Sequence, residues 1–149
     1  MSAATSPAPL PLFEEGKQYW EQLISECKRQ AADINSAICQ RGLSDCDGIQ
    51  CESGADLHIM RSSVPSTEIQ ARIEFRPWGP VISGFITGHE AEDLNFFPEE
   101  FEISIARDLD GTVVAIFDEG RSLSPQELAA YLTQHFRRCF PGISLPCPN

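Results

Sequence analysis

Lysine and arginine are scarce in this sequence, 11 residues in 149, against 22 aspartates and glutamates and a formal net charge of −11. Nucleic-acid affinity comes largely from Lys and Arg releasing counterions from the phosphate backbone, so a nucleic-acid ligand is not expected. An anionic membrane leaflet repels the same surface. Long apolar runs are missing too. No stretch approaches the ~20 residues of a membrane-spanning helix, and Met1 to Pro11 has neither the basic start nor the apolar run of a secretory signal. The expected location is therefore the cytoplasm, with no membrane partner. Histidine is rare, with only His58, His89 and His135. Gly-rich phosphate loops, the GxSxG elbow and the dinucleotide fingerprint are all absent, and no cofactor is expected.

What remains is an ordinary globular composition, 42% apolar and 22% charged, in a chain of single-domain size. Residues 1–12, rich in Pro and Ala, read as a disordered leader before one domain spanning 13–149. From Phe13 to about Gln40, apolar residues including Trp20, Leu23, Cys27, Ala31, Ile34 and Ile38 recur at helical spacing. Residues 44–54 read as a polar connection, after which the period falls to two. Ile69, Ala71, Ile73 and Phe75 alternate with charged or amide residues from Thr67 to Arg76, the pattern of a strand with one buried face. Similar patterns predict strands around Ala55–Ile59, Val81–Thr87, Phe101–Arg107 and Thr112–Phe117, with Asp110-Gly111 closing the last hairpin. Ser124, Pro125 and Glu127 spell the start of a second helix: N-cap, first-turn proline and capping box. The expected fold is α+β, a five-stranded antiparallel meander with a long N-terminal helix and a C-terminal helix packed on one face. In outline it resembles small acidic secretion chaperones, a resemblance of architecture that implies an extended protein segment as ligand.

The chemistry-bearing residues give no catalytic signature. Cys39, Cys46, Cys51 and His58 fall close enough in sequence to suggest a structural zinc site, but gaps of six, four and six residues match the paired spacing of a zinc knuckle poorly. No histidine is tied to a thiol, as a cysteine nucleophile would require. Asp108 and Asp110, with Asp118 and Glu119, lack the order of a calcium loop. Cys139 and Cys147 flank a Pro-Gly turn without a motif. Zinc is kept as an alternative; no metal or catalytic residue is assigned.

Two features point to recognition. Six acids in the thirteen residues from Glu90 to Glu102 surround Phe96 and Phe97, a pairing suited to a basic, amphipathic segment. The third and fifth predicted strands are apolar on both faces, through Val81, Ile82, Phe85 and Ile86 and again through Val113, Val114, Ile116 and Phe117. With helices on one face only, some apolar surface is left on the other, beside Met60, Gln70 and Arg72. The expected function is a non-enzymatic protein-binding or dimerising module, with Met60, Arg72, Ile82, Ile86, Phe96 and Phe97 as candidate binding residues. The competing expectation is a small-ligand binder or enzyme with a pocket between sheet and helices, anchored by Arg61, Arg72 or His58.

Overall fold

Helical spacing at the two ends of the chain and alternation between them produce two helices and one sheet. The computed structural model describes residues 12–40, 48–61, 66–89, 99–117 and 120–137. Helix α1 (Phe13–Gln40) opens with Glu14 and Glu15 at the positive end of its dipole. Seven strands follow: β1 (Gln50–Ser53), β2 (Leu57–Arg61), β3 (Ser66–Arg76), β4 (Gly79–His89), β5 (Glu99–Arg107), β6 (Val113–Ile116) and β7 (Ser122–Leu123). Helix α2 (Pro125–Arg137) ends the described chain. Each strand pairs antiparallel with its sequence neighbours, so the sheet is a meander in chain order.

The α+β expectation holds, with seven strands in place of five. The two additions are the sheet's edges. β1 has a mostly exposed side-chain pattern and β7 is two residues long, so neither carries the apolar alternation that marks a strand.

The pairing registers sort the residues into faces. Ile69 pairs with Ile86, Ile73 with Ile82, Ile82 with Ile103, and Ile105 with Ala115, which aligns one continuous apolar face. Both helices cover that face and each other. On α1 the buried stripe runs from Tyr19 through Leu23, Cys27 and Ile34 to Ile38; α2 contributes Leu128, Leu132 and Phe136. Where α1 meets β7 and α2, polar groups are satisfied in pairs. Tyr19 donates its hydroxyl proton to the Leu123 carbonyl at 2.9 Å, and Gln30 donates to the Gln126 carbonyl while accepting from Thr133 Oγ1 at 3.0 Å. Buried polar atoms need such partners, since each one left bare costs roughly 1–3 kcal/mol. Gly16 lets α1 approach the sheet, because a Cβ there would lie 2.6 Å from Pro80 Cγ. Among the described residues, no helix is long and apolar enough to cross a membrane.

Candidate functional site

With both helices on the Ile69–Ile82–Ile103 face, the opposite face of the sheet is left to its own side chains. β3 sends Glu68, Gln70, Arg72, Glu74 and Arg76 there, because these alternate with the buried residues of the same strand. Register then brings Val81 between Glu74 and Ser104, Ser83 between Arg72 and Glu102, and Phe85 between Gln70 and Glu100. A cavity of about 490 Å³ opens over these three strands, lined by Gln70, Arg72, Glu74, Ser83, Phe85, Glu100 and Glu102, with Ala71, Gly84 and Phe101 between them.

Gly84 shapes this region. A Cβ on it would collide with the Gln70 carbonyl oxygen and lie 2.9 Å from both Ala71 Cα and Phe101 Cζ. Only a residue without a side chain lets β3 and β5 close on β4 at this point.

The charges are partly matched. Arg76 donates to Glu102 at 2.6 Å and to Glu74 at 2.7 Å. By register, the bridge to Glu102 crosses β4 over Val81, which is only 1% exposed although it belongs to the helix-free face. Bonding to Glu102 and Glu74 raises the Arg76 pKa, holding the guanidinium firmly protonated. Arg76 also lies 5.6 Å from the centre of the Trp78 ring, close enough for a cation–π contact. Arg72 pairs with Asp56 at 3.2 Å, and Gln70 donates to the same carboxylate at 3.0 Å. His58 Nε2 lies 2.5 Å from Glu68 Oε1 further along the face. Glu100 is exposed and has no ion pair among the described residues.

The sequence-predicted residues divide. Met60, half-buried, and Arg72, exposed, stand on the helix-free face. Ile82 and Ile86 do not. They are 0% and 6% exposed under the helices, and leave the candidate site. Antiparallel register is the reason: the inward Ile73 and Ile69 face them directly, so Val81 and Phe85 take the outward positions. Of the acidic stretch, Glu99, Glu100 and Glu102 belong to β5, whereas Phe96, Phe97, Glu90, Glu92 and Asp93 lie outside the described residues, as do residues 1–11 of the leader, Cys46, Cys139, Cys147, Asp118 and Glu119 and the side chains of Cys39, His89 and His135.

The two competing constellations come apart. Cys51 packs against the helix-covered core, whereas His58, one register step away on the paired strand, points to the other face. Two members of the alternative zinc set, Cys51 and His58, therefore stand on opposite faces of the sheet. Among the described residues no group of three or more His, Cys, Asp or Glu is arranged to hold a metal. Cys27 and Cys51 are free thiols, both with pKa raised by burial. Arg61 is buried on the helix side while Arg72 and His58 lie across the sheet, so these three anchors do not converge.

Phe85, Glu100 and Ser83 were missed as site residues. The signal was present in the alternation of β4 and β5 once their pairing with β3 is drawn. Comparisons with protein-family models, with curated proteins and with solved structures each return no match.

Proposed function

We propose that this chain is a non-enzymatic protein-binding module of the cytoplasm, seating a segment of a partner protein on the helix-free face of β3, β4 and β5. The observation that carries the reading is the cavity of about 490 Å³ on that face, with Phe85 at its wall and polar side chains at its rim. Interface centres favour a ring among satisfied polar groups, because the apolar area supplies affinity and the rim supplies orientation. The opposite side of the sheet is packed with the buried side chains of Leu23, Ile34, Ile59, Ile82, Leu128 and Phe136. Self-association as a homodimer is the competing occupant of the same face.

The test is amide chemical-shift mapping of the isotope-labelled full chain against short peptides of one common scaffold. The peptides carry lysine, glutamate or glutamine at the same alternate positions. Saturable shifts confined to Gln70, Ser83, Phe85, Glu100 and their neighbours support the function. Shifts elsewhere only, or none with any peptide, refute it. Light scattering over a dilution series reads the homodimer: a dimer that dissociates with shifts at these same amides assigns the face to a second copy.

A further inference from the structure

We infer that the occupant of this cavity is a cationic side chain, Lys or Arg, of a basic segment, held between the Phe85 ring and the Glu100 carboxylate. The inference rests on the binding function proposed above and names its partner chemistry.

Charge matching around the cavity is incomplete in one direction. Arg72 is met by Asp56, and the single guanidinium of Arg76 is shared by Glu74 and Glu102. Four carboxylates (Asp56, Glu74, Glu100, Glu102) thus face two guanidiniums, and Glu100 has no cation at all among the described residues. The unmatched charge lies beside the ring. Glu100 and Phe85 are direct cross-strand partners, which sets their Cβ atoms roughly 4.5–5.5 Å apart on one face. A cation over the ring therefore lies within reach of the carboxylate, gaining from the ring quadrupole and from the opposite charge together.

The other occupants fit less well. An acidic segment would meet the surplus carboxylates directly. A second copy of this chain carries the same net charge of −11 and would bring the same acidic rim face to face with this one. A chelated metal ion would need two or more free carboxylates, and Glu102 is committed to Arg76. Lysine and arginine also bring aliphatic stems to lie along the wall of the cavity, which a bare ion does not.

The peptide series decides the matter. The lysine peptide is expected to bind the β4–β5 amides at least about fivefold more tightly than the glutamine peptide, with the glutamate peptide weaker still. Glu100→Gln should weaken the lysine peptide roughly three- to fivefold while leaving the glutamine peptide unchanged. Phe85→Leu keeps apolar area but removes the ring, and should cost a similar factor. Each variant is checked for an unchanged amide spectrum away from the site. Equal binding of all three peptides on this face, or indifference of the lysine peptide to both substitutions, overturns the cation assignment and leaves the binding function standing. Lysine-peptide shifts scattered over other acidic surfaces overturn it too. Silence of the face toward every peptide takes both proposals down.

Discussion

Gly84 is the residue that sets how closely β3 and β5 approach β4 beneath the cavity. Two of the three groups that a Cβ would strike there are backbone, the Gln70 carbonyl and the Ala71 Cα, and backbone cannot rotate aside. Gly84→Ala should therefore destabilise the protein by about 1–3 kcal/mol despite the better strand propensity of alanine, read as a lowered urea midpoint. Tyr19 makes a second prediction. Burial, and after it the charge of Glu127, raise its pKa above the ordinary 10.0. The folded state then keeps a proton that the unfolded chain gives up, so its contribution is complete below about pH 10 and is lost as pH rises further. Cys27, raised by burial from 9.0, acts in the same sense from a lower pH. Urea midpoints should fall between about pH 9 and pH 11, by up to ~1.4 kcal/mol per pH unit for each group. Tyr19→Phe should cost about 1 kcal/mol at neutral pH, by stranding the Leu123 carbonyl, and then decline less steeply than the parent. Parallel pH curves would show that Tyr19 is not the group responsible. Ile82 and Ile86 show what was readable at this scale and overlooked. A turn of two or of four residues after β3 pairs even-numbered β4 residues with the odd, inward residues of β3, so parity alone assigns both isoleucines to the core.

Among the elements, α2 is the one whose boundaries were most legible. Its start is held reciprocally: Glu127 N–H donates to Ser124 Oγ at 3.1 Å, and Ser124 N–H donates to Glu127 Oε1 at 3.0 Å. Leu123 and Leu128, flanking the cap, are both buried, as a hydrophobic staple requires. Ser124→Ala should cost about 1 kcal/mol, and Ser124→Asp should restore most of it by accepting the same bond near the positive helix end. Thermal melts of the two variants provide the check; equal loss in both would mean that the hydroxyl serves another purpose. α1 was equally legible along its stripe of large apolar residues, yet Gln30 on the same stripe was not, because its burial depends on Thr133 and the Gln126 carbonyl, far away in sequence. The edge strands escaped for a related reason. β1 is recognised by its ladder to β2 and by Asn35, which donates to and accepts from the Ile49 backbone just before it, not by any period of its own. Long-range pairing of polar residues leaves no trace in local spacing. The site suffered likewise: Phe85 and Glu100 are fifteen residues apart in sequence and adjacent only across a ladder.

For the molecule as a whole, the imbalance of charge sets two opposite responses to salt. The net charge of −11 on 149 residues makes the folded state repel itself, while ion pairs such as Arg72–Asp56, Arg76–Glu102 and Arg107–Glu15 pull the other way. Exposed pairs of this kind contribute about 0–1 kcal/mol each, and salt screens them as well. Eleven charges without counterparts outnumber them, and their mutual repulsion extends over a Debye length of ~30 Å at 10 mM salt, against ~8 Å at physiological strength. The melting temperature should therefore rise by a few degrees when sodium chloride is raised from about 10 to about 300 mM. Binding of the lysine peptide should weaken over the same interval, since there the long-range term is attractive. Stability and affinity moving in opposite directions is the signature of a surplus charge that costs the fold something and serves recognition. A melting temperature that falls with salt would mean that the paired surface charges outweigh the repulsion. Peptide affinity independent of salt would place the ligand's hold in the apolar wall around Phe85, and Glu100 would then be a bystander.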